Sequence, residues 1–475
     1  MSDPQLAEAG APSPGAPVRT GRNSVLYLVG ALMQGLGIFI VQPFALHVLN
    51  NDAKWQELFL SVSVIQVGVV LAAAGLPLAI TKAWFDPGGH TKARAISGFL
   101  TLGGLVLGLL AGGACLLFAS GLKGSTSFSI ALVAMGLQAS VLAAQAILRA
   151  QGRAVMFVVL SLCSSMAAYL GGLVAMLLFG AEASIFMTGY GFLVFLSAIL
   201  SVIVARPVIP FTHPEAIREA VAIGVPVLPH TGALMLLTQG APFLLAVVAV
   251  SGVSGDYGKV QIFVLGSITL LGALNNAWVP ALMSVRGEDR VRRMRSTMTT
   301  ASLAGLAIVV AASSGANLVV HVMAGGKESL IPVAQIMPLI ALGYLLYLNA
   351  STLLFADNVT WWLSVVTPAV LVASGALALW PAREGNLEGV ALVSVISFLL
   401  LGLAYLAVAW RRAAGGWALG VYALCWVVGV AYVGVLLLLP TDVVTGLATV
   451  GVAAVIAFAG AVLWRIKARR SAARA

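Results

Sequence analysis

The sequence predicts an all-α integral membrane protein of about 14 transmembrane helices, two parallel six-helix lobes plus two C-terminal helices. Three observations carry this: apolar runs long enough to span a bilayer, basic residues confined to alternate gaps, and an internal repeat. Of 475 residues, 60% are hydrophobic and 9% charged, with mean hydropathy +1.04. A soluble domain carries about 25% charged residues. A span needs roughly 20 apolar residues, and fourteen runs qualify. They lie at 24–48, 57–81, 94–120, 126–149, 154–179, 183–205, 219–250, 258–284, 297–322, 330–356, 360–380, 389–410, 417–439 and 443–465.

The gaps between runs set the orientation. Of 26 Lys and Arg, 21 fall in one alternate set of gaps. Only Lys54, Lys123, Lys259, Lys327 and Arg383 fall in the other. The positive-inside rule then places both the N and C termini in the cytoplasm of a multi-pass plasma-membrane protein. Acidic residues divide 8 and 8, so the inner face is net +13 and the outer −3. The net charge of +10 is therefore an orientation signal and a contact with anionic membrane lipids. No aqueous segment pairs basic residues with stacking aromatics, so no nucleic acid is expected as partner. Trp55, Trp84, Trp361, Trp362, Trp380, Trp410, Trp417 and Trp464 fall at run ends, as an interfacial belt would.

In chain order, residues 1–23 are rich in Pro, Ala and Gly without an apolar core, and read as a disordered cytoplasmic tail. Runs 1–6 form an N-lobe over 24–205. A cytoplasmic linker at 206–218 is stiffened by Pro207, Pro210 and Pro214. Runs 7–12 form a C-lobe over 219–410, and 411–475 holds runs 13 and 14 with a basic cytoplasmic tail. The charged stretch 285–296 reads as an amphipathic segment facing lipid headgroups. Cys115, Cys163 and Cys425 lie within runs, at a spacing that suits neither a disulfide nor a metal site.

The halves repeat. GALM occurs at 30–33 and 232–235, followed by Gln34-Gly35 and Gln239-Gly240. Asp52 and Asp256 come next, then GLPLA at 75–79 and WVPAL at 278–282. The offsets are 202 for GALM, 204 for the aspartates and 203 for Pro77 and Pro280. Six runs separate the copies, and an even number preserves orientation. The repeats are thus parallel, about an axis along the membrane normal.

The chemistry begins with an absence. No carboxylate lies deep in any run, whereas ion-coupled carriers usually expose an intramembrane Asp or Glu. There is no GxxxxGK[ST] phosphate cradle, HExxH, GxSxG or His/Cys ligand set. No metal, no cofactor and no enzymatic activity are expected. Polar residues inside the runs are the remaining candidates for a cavity. Gln34 and Gln42 lie eight apart, about 80° from each other on a helix, and Pro43 should kink that run. Gln138, Gln145 and Arg149 step by seven and four along one face of run 4. Run 7 carries Pro226, Pro229, His230, Gln239 and Pro242 and should be the most broken helix. Broken spans tend to line cavities, where freed backbone groups find water or protein. Asn275 and Asn276 lie in run 8. Each amide could instead serve only as a bond between helices.

These features together resemble the multidrug/oligosaccharidyl-lipid/polysaccharide exporter superfamily, and most closely its polysaccharide transporter branch, the Wzx-type flippases. The similar segments are AAAGLPLAITK at 72–82, ILRAQGR at 147–153, AIGVPVLPH at 222–230, SGDYGKVQIF at 254–263 and WVPAL. One departure is that many relatives carry an Asp in the middle of span 7, where this chain has Gln239-Gly240-Ala241-Pro242. The resemblance implies alternating access between two lobes, with a polyprenyl-pyrophosphate-linked oligosaccharide or polysaccharide precursor as cargo. It further implies polysaccharide polymerase and glycosyltransferases as partners. A glycan cannot cross hydrocarbon unaided, since each unpaired polar group costs several kcal/mol. Amides could bond its hydroxyls, while Arg149 with Lys82, Arg153 and Arg218 would meet the pyrophosphate headgroup at entry. The alternatives are a lipid II flippase on the same fourteen-span plan, a multidrug/cation antiporter and an integral membrane glycosyltransferase. The antiporter lacks its intramembrane carboxylate here. The transferase would need a catalytic carboxylate on a loop, and Asp52, Asp256 and Glu384 stand isolated in sequence.

Overall fold

Hydrocarbon offers backbone amides no hydrogen-bond partner, so a chain this apolar must satisfy them internally. The computed structural model describes residues 20–121, 124–250, 252–283, 285–357, 359 and 361–455. Most of the tail at 1–23 and the end of the fourteenth run lie outside them. The described residues are helical throughout, without a strand, and 12 helices are long and apolar enough to cross a membrane. Two shorter apolar helices, Met33–Leu49 and Val443–Val455, fall at the first and last expected runs. The chain is a multi-pass membrane protein.

The first half comprises α1 (Thr20–Leu49), α2 (Asp52–Ala73), α3 (Leu76–Phe85), α4 (Gly89–Phe118), α5 (Ser125–Ala150), α6 (Ala154–Leu162), α7 (Ala168–Phe179) and α8 (Ala183–Ala205). Then come α9 (Pro214–Gly224), α10 (Leu228–Val248), α11 (Val253–Val260), α12 (Ile262–Met283) and α13 (Gly287–Met323). The remainder is α14 (Ile331–Ile336), α15 (Ile340–Ala356), α16 (Trp361–Arg383), α17 (Leu387–Ala409) and α18 (Leu419–Leu436). The stretch 285–296 is not a separate headgroup-facing segment. From Gly287 on it forms the first turns of α13, a continuous 37-residue helix. Its Arg290 is buried, because the guanidinium reaches Asp357 at 2.9 Å, and Arg412 joins the same carboxylate at 3.4 Å.

Among the described residues five spans are interrupted, three of them at Ala74, Val225 and Cys163 for a local reason, and two more at Gln261 and at the 3₁₀ turn Met337–Leu339. Ala74 (φ 45°) and Gly75 (φ 70°) turn left-handed between α2 and α3, and Pro77 then occupies the first turn of α3, where its missing N–H costs nothing. Between α9 and α10 the residues Val225–Val227 form a 3₁₀ turn, with Pro226 and Pro229 removing two donors. Between α6 and α7, Cys163–Ala167 form a single π-helical turn, a device common at functional sites.

Buried side chains gather in three clusters. Two draw on residues between Val41 and Ala220, and the third runs from Leu245 to Val433. Small residues bring helices close, as packing in lipid requires. A Cβ on Gly136 of α5 would lie 2.2 Å from the Gly104 carbonyl of α4. Ala216 and Ala220 of α9 are buried in one cluster with Leu76, Ala79 and Ile80 of α3. The first two interruptions also touch: a Cβ on Gly224 would lie 2.2 Å from the Ala74 carbonyl. Two tryptophans leave the interfacial belt. Trp55 and Trp417 are buried, their indole N–H groups donating to the Gly255 carbonyl (3.0 Å) and the Trp410 carbonyl (3.1 Å). Trp361, Trp380 and Trp410 stay exposed.

The α3–α9 contact gives a first test. Gly224→Val should lower stability by about 1–3 kcal/mol through overpacking. Gly266→Ala, where nothing lies within 4 Å of the added carbon, should leave it unchanged or slightly raised. Thermal unfolding of the purified proteins in detergent would read the difference.

Candidate functional site

Spans 1, 2, 4, 5 and 6 converge with spans 7 and 8 on a cavity of about 320 Å³. Gln34, Gln66 and Gln138 supply amides, and Ser164, Ser165 and Thr269 supply hydroxyls. Tyr169 and Tyr190 present phenol groups, their ring centroids 5.0 Å apart. Met235 and Leu265 enter from the second half. None of the lining residues is Asp, Glu, Lys, Arg or His. The π turn puts Ser164 and Ser165 at the wall. The Ser164 carbonyl accepts from Gln138 Nε2 (3.0 Å), and Ser165 Oγ donates to the Met33 carbonyl (3.0 Å) of α1. Gln138 Nε2 also donates to the Tyr190 hydroxyl at 3.3 Å.

Above the cavity an amide chain crosses between the halves. Gln239 of α10 donates to the Gln66 side-chain oxygen of α2. Gln261 donates to the Thr238 carbonyl (2.8 Å) and the Gln239 amide oxygen (3.4 Å). Its own Oε1 is buried and meets no protein partner. Gln42 of α1 donates to the Lys259 carbonyl at 3.2 Å.

Of the residues singled out in the sequence, Gln34 and Gln138 line the cavity, and Gln42 and Gln239 bond across the halves. Gln145 does neither: it is buried and donates to Ser161 Oγ at 3.0 Å within the first half. His230 is likewise buried inside the second half. Its Nδ1 lies 2.8 Å from the Thr367 hydroxyl and 3.2 Å from that of Tyr405, and its Nε2 lies 3.1 Å from that of Tyr347. It therefore fastens α10 to α15, α16 and α17. Asn275 accepts from Trp278 Nε1 at 2.8 Å, and the Asn276 side chain lies outside those described. Arg149 is exposed, its guanidinium 5.7 Å over the Phe157 ring. Lys82, Arg153 and Arg218 are exposed, and Arg153 reaches only Gln151 at 3.4 Å. None of these four enters an ion pair among the described residues.

Sequence reasoning missed Gln66, Tyr169, Tyr190 and the serine pair. Gln66 was visible as a lone amide in an apolar run. The serines become wall residues only through the π turn, which has no hydropathy signature. Lys259 was read as an outer-gap residue. It sits in α11, only 4% exposed, with its ammonium 2.7 Å from Asp52 and 2.9 Å from Asp256. Lys327 completes a four-membered cluster, 2.8 Å from each aspartate. Burial acts to lower the Lys327 pKa, but hydrogen bonds to Asp256 and Asp52 outweigh it and hold the value above the ordinary lysine range.

No family model and no curated protein matches the sequence. The fold does match solved structures of membrane transporters. An inward-facing conformation of a multidrug resistance MATE family transporter of the MOP superfamily aligns at TM-score 0.59 and 14% identity, covering 87% of this chain and 95% of that one. An outward-facing conformation of such a transporter aligns at TM-score 0.57 and 14% identity, with the same coverages, 87% and 95%. A MOP superfamily transporter from Pyrococcus furiosus, described by a reversed polarity of its binding pocket that suggests a different function, also aligns at TM-score 0.57 and 14% identity over 87% and 95%. At this identity the likeness is one of fold, and the chain has the fold of MATE-type transporters.

Two outcomes follow. His230→Leu takes the imidazole from the buried Tyr347 hydroxyl, while Thr367 and Tyr405 keep their mutual bond at 2.7 Å; a stranded buried group costs about 1–3 kcal/mol. Thermal unfolding should show a loss of that size, whereas Arg149→Ala should change stability little. A raised lysine pKa means a contribution complete below the ordinary lysine range and lost only as pH climbs through the raised value. The stability gap between wild type and Lys327→Gln should therefore persist in mildly alkaline buffer and close only in strong alkali.

Proposed function

We propose that this protein is a flippase for a lipid-linked glycan, carrying a polyprenyl-pyrophosphate oligosaccharide across the plasma membrane by alternating access. The carrying observation is the cavity wall: amides, hydroxyls and phenols with no charged group. Such a wall suits an uncharged, hydroxyl-rich cargo, because amide, hydroxyl and phenol groups can each donate to or accept from a sugar hydroxyl. A cationic drug would instead call for a carboxylate, since a buried unpaired charge is costly. Arg149, Lys82, Arg153 and Arg218, without an ion pair among the described residues, fall where the positive-inside rule places the cytoplasm, which suits capture of a diphosphate. The two halves, read as parallel six-span lobes with both termini inside, supply the moving bodies. Related folds are known facing inward and outward. At about 320 Å³ the cavity is at the low end of the roughly 300–1,000 Å³ of ligand pockets. Cargo entry therefore requires the halves to part.

The test is flipping of a fluorescent short-chain polyprenyl-diphosphate glycan in proteoliposomes. Each lost hydrogen bond to cargo should slow transport about 5-fold, so Gln66→Leu/Gln138→Leu should slow it by about 10-fold or more. Arg149→Ala should also impair transport, through weaker headgroup capture. Efflux of a cationic dye under a proton gradient, with no glycan flipping, would favour the multidrug reading. Flipping of lipid II alone would favour the peptidoglycan one.

A further inference from the structure

Among the described residues, both ion pairs joining the two halves pass through one carboxylate, that of Asp52. Lys259 lies 2.7 Å from its Oδ1 and Lys327 lies 2.8 Å from its Oδ2. The other ion pairs all form within one half. Asp52 opens α2 in the first half, whereas Asp256, Lys259 and Lys327 belong to the second. Asp256 holds the same two ammonium groups at 2.9 and 2.8 Å. The two aspartates are the repeat-related pair at an offset of 204.

The two aspartates are not equivalent. Lys259 is 4% exposed, and a buried ammonium stripped of all partners would be strongly disfavoured. If the halves separate at this end, Asp256 travels with both lysines and keeps them paired. Of the ion pairs, only those to Asp52 break, and its side chain is 55% exposed, ready for water. Neutral contacts around the cluster run in the same direction. Trp55 donates to the Gly255 carbonyl (3.0 Å), and the Gly252 N–H donates to Gln56 (2.9 Å). Glycines 255 and 258 let α11 lie directly on α2: a Cβ on Gly258 would lie 2.5 Å from the Phe59 ring. This end carries few basic residues and is the outer end under the positive-inside rule.

We propose that Asp52 is the releasable latch of an outer gate. It closes the cavity from outside by sharing two lysines that Asp256 retains when the gate opens. This rests on the alternating-access reading but not on the identity of the cargo.

The test is electron–electron double resonance between spin labels at Ala53 and Val322, both exposed at this end. The background replaces Cys115, Cys163 and Cys425 with serine. Exposed ion pairs predict that Asp52→Asn raises the open-to-closed ratio about 2- to 30-fold, seen as a longer-distance population. Lys327→Gln should do the same to a smaller extent, and Asp52→Glu should restore the short distance. Raising salt from 0.1 to 1 M, which shortens screening from about 10 to 3 Å, should open the parent protein but not Asp52→Asn. Asp256→Asn should instead leave Lys259 dependent on Asp52, 2.7 Å away, and so favour the short distance, because opening would then strand a buried ammonium. Unchanged distances in both Asp52→Asn and Lys327→Gln would overturn the latch. That result alongside normal glycan flipping would leave the cargo reading intact. The expected opening without glycan flipping would overturn the cargo alone.

Discussion

Hydrocarbon cannot hydrogen-bond, and the rest of this structure follows from that constraint. It forces the chain into helices and leaves very few places where a helix can break. The breaks found here sit where protein covers the exposed groups. The left-handed pair Ala74–Gly75 closes against Gly224. The 3₁₀ turn Val225–Val227 follows directly on that contact. The π turn Cys163–Ala167 faces the cavity, with Gln138 and α1 taking up its bonds.

The same constraint sorts the polar side chains into two populations. One is consumed within a half: Gln145 on Ser161, and His230 among Thr367, Tyr405 and Tyr347. These groups make each half a firm body. The other population faces across the divide: Gln42, Gln66 and Gln239, with the Asp52 cluster beyond them. These are the bonds that hold the two halves together across the divide. Gln66 belongs to both the cavity wall and this interface.

Much of the fold was legible because lipid solubility and charge placement are written residue by residue. Run lengths, the break at Pro226 and the helical character of the described runs needed only hydropathy and proline chemistry, whereas the break before Pro77 went unread within a single apolar run. The site was less legible. Spacing along one helix ranks faces but does not say what lies opposite. Gln138 and Gln145 share a face of α5, yet only Gln138 lines the cavity. Gln66 stood alone in its run and drew no notice. Tyr169 and Tyr190 looked like ordinary span aromatics. Lys259 looked like a loop cation because hydropathy cannot show that two aspartates 207 and 3 residues away in sequence neutralise it. Trp55 and Trp417 looked interfacial because their buried carbonyl partners are likewise distant or around a corner.

The π turn also bears on how such a protein can diverge. One extra residue in a turn rotates everything beyond it by about 100° relative to an uninterrupted helix. Ahead of it, Phe157 and Ser161 serve the core shared with α5. Beyond it, Tyr169 turns to the cavity and Met176 to the cluster with Phe186. Losing a single residue between 163 and 167 would leave hydropathy, span length and topology almost untouched. It would nevertheless re-index every later side chain of that span and aim a different set at the cavity. Here, residue count within one membrane span itself decides which side chains meet the cavity.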